Sequence, residues 1–245
     1  MRQVTGLFLF VIFSLAAWSQ TKPATNTPPH RAGTAAAGTE DAPDPIAIID
    51  TSVGKMTCTL FPQQAPIGVA NFIGLATGTK DWTNPTTHAK KHGVPLYDGT
   101  IFHRVIPQFM IQGGDPLGTG LGDPGYKFKN ETSPDLAFDR PGRLAYANAG
   151  PDTNGSQFFI TEVPYPSLNG GYTIFGQCDD ASVELVKQIA RMASDPRTNM
   201  PFRPVKINHI TIVKAGAATP APKAAKPAPK KPATASPKTP PGNMP

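Results

Sequence analysis

The sequence predicts a mainly β domain: an eight-stranded barrel closed on itself, with an α-helix over each open end. Three observations lead there. Short runs of β-type alternation recur between clusters of Gly, Pro, Asn and Asp. Two longer segments break that rhythm with helical spacing. No repeat of some tens of residues appears, which argues against a solenoid or a propeller.

In chain order, strands are expected at 46–51, 55–60, 100–105, 109–112, 143–147, 157–161, 172–177 and 205–213. The first two are joined through Ser52-Val53-Gly54, a hairpin turn. The first helix is expected over 66–78, where Val69, Phe72, Ile73 and Ala76 form one apolar stripe. Pro66 suits its first turn and Gly78 its end. The second is expected over 182–193, with Val183, Val186, Ala190 and Ala193 in the same pattern. Asp179 and Asp180 precede it, at the positive end of its dipole. Each stripe needs an apolar surface to cover, hence one helix at each mouth of the barrel.

Two connections are long for such an architecture. Residues 77–96 carry Trp82, His88 and His92, and residues 113–142 are rich in Gly, Pro and Asp. The chain has two cysteines, too few for a disulfide scaffold. Cys58 shares the buried face of its strand with Met56 and Leu60, and Cys178 follows another strand. A bond between them and a pair of buried thiols both stay open. Neither has the basic neighbours of a reactive cysteine.

Composition separates this domain from its flanks. Of 29 prolines, five fall in residues 20–45 and nine in 215–245, tracts with almost nothing large and apolar. Such segments cannot offset the entropy lost on ordering, so both are expected to be disordered. The foldable domain is therefore 46–214. The formal charge of +6 also divides, since 215–245 holds five lysines and no acid while 46–214 carries only +1. That near-neutral body argues against a nucleic-acid enzyme. The tail is expected to act as a solvated spacer, with a weak contact to anionic envelope components as the sharper reading.

Residues 1–19 have the form of an export signal: Arg2, an apolar run from Leu7 to Phe13, then Ala17 and Ser19 as small residues before a cut at Gln20. The run is short for a membrane span, though an uncleaved anchor is the alternative. An exported bacterial protein is expected, periplasmic or secreted.

The chemistry concentrates in two stretches, 102–115 (FHRVIPQFMIQGGD) and 145–160 (AYANAGPDTNGSQFFI), with a third at 168–176 (LNGGYTIFG). Gly113-Gly114 and the glycines near 118–125 lack the spacing and following helix of a phosphate cradle. His88 and His92 lack the neighbouring glutamate of a zinc helix. Together the three stretches resemble the cyclophilin family of peptidyl-prolyl cis-trans isomerases, over about 46–213.

That resemblance implies an antiparallel barrel of eight strands with two helices, and rotation of X–Pro bonds without metal, cofactor or nucleophile. It makes Arg104 the catalytic residue. Alternation along 101–105 agrees, because it sets Arg104 on the face opposite His103 and Val105. Phe109, Met110, Phe159 and Leu168 are implied as the proline pocket. Gln112 and Gln157 are implied as polar positioners, the main chain at Ala147 and Asn148 as a strand-like ledge, and Tyr172 as the pocket edge. His103 is expected to sit on the barrel side holding a hydrogen bond.

Two positions depart from the pattern of many eukaryotic members. Ser167 stands where they have a tryptophan, so weak cyclosporin binding is expected, and Tyr172 replaces a histidine. The resemblance points to proline-containing polypeptides as partners and to assistance in folding exported proteins. The alternative is a module that binds proline segments with little turnover. No heptad seam or charged face calls for an oligomer, so a monomer is expected.

Overall fold

The computed structural model describes residues 43–213. The predicted signal, residues 20–42 of the linker, Lys214 of the domain and the tail 215–245 lie outside the described residues. β1 (Ile46–Thr51) and β2 (Gly54–Leu60) form the expected hairpin, closed by the Thr51 hydroxyl donating to the Gly54 carbonyl at 2.6 Å. α1 (Pro66–Thr77) starts on its proline and ends on Gly78, whose φ of 75° is left-handed. A Cβ at Gly78 would also meet the backbone of residues 93–95 at 2.9 Å, so both conformation and space demand glycine.

Eight strands form one antiparallel sheet. After β1 and β2 come β5 (Arg104–Ile106), β6 (Met110–Gly113), β7 (Arg143–Tyr146), β8 (Phe158–Thr161), β9 (Ile174–Cys178) and β10 (Ile207–Val213), in the spatial order β10-β1-β2-β9-β7-β8-β6-β5. The expected closed barrel is corrected here: the sheet is open between β10 and β5. Across that gap, among the described residues, run an isolated bridge, Ile101 to Lys206, and scattered backbone bonds, among them Phe102 N to Val205 O and Val105 N to Asn199 O, both at 2.9 Å, but no continuous ladder. Pro201 and Pro204 have no N–H to continue a ladder there. The strand expected at 100–105 is three residues long and shifted, Arg104–Ile106, the stretch that pairs with β6.

α2 (Asp180–Ala190) begins two residues before the expected start, because Asp179 is the cap: its carboxylate accepts the Ser182 amide at 2.8 Å. It ends three residues short of Ala193, whose carbonyl instead accepts the Phe202 amide. α1 packs against β10, and α2 against β2, β5, β6 and β8. Within the 77–96 connection lies a second, two-stranded sheet that alternation cannot reveal at such length, β3 (Trp82–Thr83) with β4 (Lys90–Lys91).

Cross-strand pairing sorts the side chains into two faces. One row, Val105–Ile111–Ile160–Leu144–Gly176–Leu60, looks into the main core. There Phe72 meets Tyr97, Phe158 and Phe175 with ring centroids 5.1–5.6 Å apart. Register also answers the cysteine question. Cys58 and Cys178 stand directly opposite each other on β2 and β9 and form a disulfide.

Candidate active site

The opposite face builds the site. Arg104 opens β5 and faces Gln112 on β6; Gln112 faces Phe159 on β8, Phe159 faces Ala145 on β7, and Ala145 faces Ile174 on β9. One outward row therefore carries a cation, an amide and an aromatic ring. Met110, two residues from Gln112 on the same strand, shares its face. Strands β7 and β8 are buried on both faces because Phe159, Ala145 and Ile174 of this row join Met110 and Phe138 in a second apolar cluster.

Three residues reach the row from outside the strands. Phe109 sits on the β5–β6 turn, held there by Gln108, whose φ of 58° is left-handed and whose amide donates to the Glu162 carboxylate at 2.9 Å. Leu168 comes from a short 3-10 turn (Pro166–Leu168), and Tyr172 from the approach to β9. The Tyr172 ring stands edge-on to Phe159, with centroids 5.5 Å apart.

The result is an open cavity of about 100 Å³ lined by Arg104, Phe109, Met110, Gln112, Ala147, Asn148, Phe159, Leu168 and Tyr172. Nine of the ten predicted site residues meet there. Gln157, expected inside β8, precedes that strand and faces an adjoining groove that shares Gln112, Ala147 and Asn148. It still belongs to the network: its side-chain oxygen accepts from Gln112 Nε2 at 3.0 Å, and Gln112 Oε1 accepts from Arg104 Nη1 at 3.2 Å. Arg104 is half-buried and forms no ion pair among the described residues, so its charge is committed to no carboxylate.

The main chain expected as a ledge is only partly free. The Ala147 amide is taken by the Gln157 carbonyl at 3.0 Å, while the Asn148 N–H and C=O have no backbone partner among the described residues. His103 is buried, as alternation requires, with the Ile101 backbone beside its ring. Neither ring nitrogen lies in good hydrogen-bond geometry with a partner among the described residues. Burial lowers its pKa; nearby Asp115 and then the Ile101 backbone work in the opposite direction, and Arg104 adds to the lowering.

Two aromatic rings at the site escaped the sequence reading. Phe138 stacks on Phe159 at 5.8 Å and 14°, forming the floor beneath it. Tyr165 lies against Phe109 at 4.5 Å on the outer wall. Phe138 sits in a loop with no periodicity to expose it. Tyr165, between Pro164 and Pro166, has only that stiff setting as a signal.

Residues 46–212 match the family model described as cyclophilin type peptidyl-prolyl cis-trans isomerase. The chain belongs to the cyclophilin family. It is 50% identical over 167 residues to peptidyl-prolyl cis-trans isomerase B of Streptomyces anulatus, covering 68% of this chain and 95% of that one. Against peptidyl-prolyl cis-trans isomerase A of Mycobacterium tuberculosis the identity is 53%, covering 68% and 91%. A solved cyclophilin from Cryptosporidium parvum, crystallised in the presence of the dipeptide Ala-Pro, is similar with a TM-score of 0.58 at 36% identity, covering 69% of this chain and 98% of that one. The chain is thus a cyclophilin-type peptidyl-prolyl cis-trans isomerase, and its fold is the mainly β, two-helix fold of that family.

Proposed function

We propose that this cyclophilin rotates X–Pro bonds of exported polypeptides, with Arg104 as its catalytic residue. The observation that carries the reading is an uncommitted guanidinium at the mouth of an apolar cavity. Amide rotation meets a barrier of about 18–20 kcal/mol because the nitrogen lone pair is delocalised into the carbonyl. In the twisted state the pair returns to nitrogen, so a donor aimed there stabilises that state over both planar ones. Phe159, Met110, Phe109 and Leu168 grip the proline ring and keep water from the guanidinium, which strengthens its field. Gln112 holds Arg104 at one nitrogen and leaves the rest of its fork for the substrate. Asn148 offers its backbone to an extended chain, as in strand addition.

Export is supported by the signal-like residues 1–19 and by the Cys58–Cys178 bond, since disulfides persist in oxidising compartments.

The test is isomerisation of a proline tetrapeptide. Arg104→Ala is expected to lower kcat/KM roughly 10²-fold or more, about 3 kcal/mol of transition-state stabilisation. Equal rates would transfer the role to binding alone.

A further inference from the structure

Asp115 lies two residues beyond β6, the strand that carries Gln112, and is fully buried. A buried carboxylate is costly unless its lone pairs are filled. Here the following loop fills them: Oδ1 accepts the Leu117 amide at 2.7 Å, and Oδ2 accepts those of Thr119 at 3.0 Å, Gly122 at 3.2 Å and Gly120. With its amides turned in to Asp115, the loop turns two carbonyls out. Those of Gly120 and Gly122 accept from Gln157 Nε2 at 3.0 and 2.9 Å.

The polarity of every later link follows. Both hydrogens of the Gln157 amide are committed to the loop, so its oxygen must face the other way, to Gln112 Nε2. The Gln112 oxygen then faces Arg104. Were the loop released, either amide could turn end for end and present an N–H to the guanidinium instead of an acceptor.

We infer that Asp115 is a positioning residue of the isomerase site, orienting Arg104 through the 117–122 loop, Gln157 and Gln112. This rests on the reading of Arg104 as the group that meets the substrate. A carboxylate that merely held a surface loop would affect stability and leave the glutamines indifferent to it.

The experiment measures kcat and KM on a proline tetrapeptide for wild type, Arg104→Ala, Asp115→Asn, Gln157→Leu and the Asp115→Asn/Gln157→Leu pair. Asp115→Asn is expected to lower kcat between ~10- and ~100-fold, as a misplaced catalytic group does, with a smaller change in KM. The double variant is expected to be no slower than Gln157→Leu alone, because both act on one link. Multiplying losses, or wild-type turnover by Asp115→Asn beside an inactive Arg104→Ala, overturns the inference. Full activity of Arg104→Ala instead removes the reading beneath it. Should Asp115→Asn not fold, Gly122→Ala serves in its place, since a methyl there collides with the Asp115 carboxylate. If neither variant folds, the carboxylate is a folding element and the inference falls.

Discussion

Tyr165 owes its place to stiffness on both sides. Pro164 and Pro166 fix the backbone around it, and its amide donates to the Phe138 carbonyl at 2.8 Å. The ring therefore rests on Phe109 while its outer edge stays open, and Ser167 leaves that side without another aromatic wall. An aromatic pair contributes about 0.5–1.5 kcal/mol beyond area. Tyr165→Ala is accordingly expected to raise KM roughly 2- to 10-fold while kcat holds, read from saturation curves on the tetrapeptide. An unchanged KM would place the ring outside the bound peptide. His103 contributes at the same scale through protons. Its folded pKa lies below its ordinary value, chiefly through burial, so the unfolded chain takes up a proton first as pH falls. Its contribution to stability is complete above about 6.5 and declines as pH drops toward the folded value. Urea midpoints are expected to fall between about pH 7 and pH 5, and His103→Phe to flatten that slope. A slope that survives the substitution assigns the effect to another group. Asp139, held low by Arg140 and then Arg143, loses its own contribution only in a more acid window.

At the scale of elements, α1 is capped from far along the chain. Ala65 offers no side-chain acceptor, and no acid stands in the first turn. Glu131, some sixty residues on, brings both carboxylate oxygens to the Ile67 and Gly68 amides at 2.9 and 2.7 Å. Glu131→Ala is expected to cost ~1–2 kcal/mol in denaturant unfolding, the loss typical of a missing cap. α2 has its cap next door in Asp179, and that difference explains what could be read from residues alone. Periodicity located both helices and each strand of the large sheet within a few residues, because those signals are local. Asp179 was visible as a charge before a helix, whereas the Glu131 cap joins residues no spacing rule connects. The same holds at the site. Arg104 and the strand residues Met110, Gln112 and Phe159 lay within quoted motifs and on the expected face, while Phe138 and Tyr165 arrive from loops. The open seam beside β5 was hidden too, because strand counting cannot tell whether the last edge meets the first.

The whole molecule is cross-linked at one point. The Cys58–Cys178 bond joins β2 to β9 across 120 residues and lies in the core. It ties the β1–β2 hairpin, on which β10 depends, to the strands that carry the site. Closing so long a loop removes much of the unfolded chain's freedom, and losing such a bond typically costs about 2–5 kcal/mol. Paired Cys58→Ala and Cys178→Ala substitutions remove the constraint while keeping small apolar groups in the core. The double variant is expected to unfold at lower urea by that amount, and reductant to shift the wild-type midpoint without moving the variant's. Turnover per folded molecule should be retained, since neither sulfur lines the cavity around Arg104. A wild-type midpoint that ignores reductant would mean that the thiols are not joined in the folded protein. The case for an oxidising compartment would then rest on residues 1–19 alone.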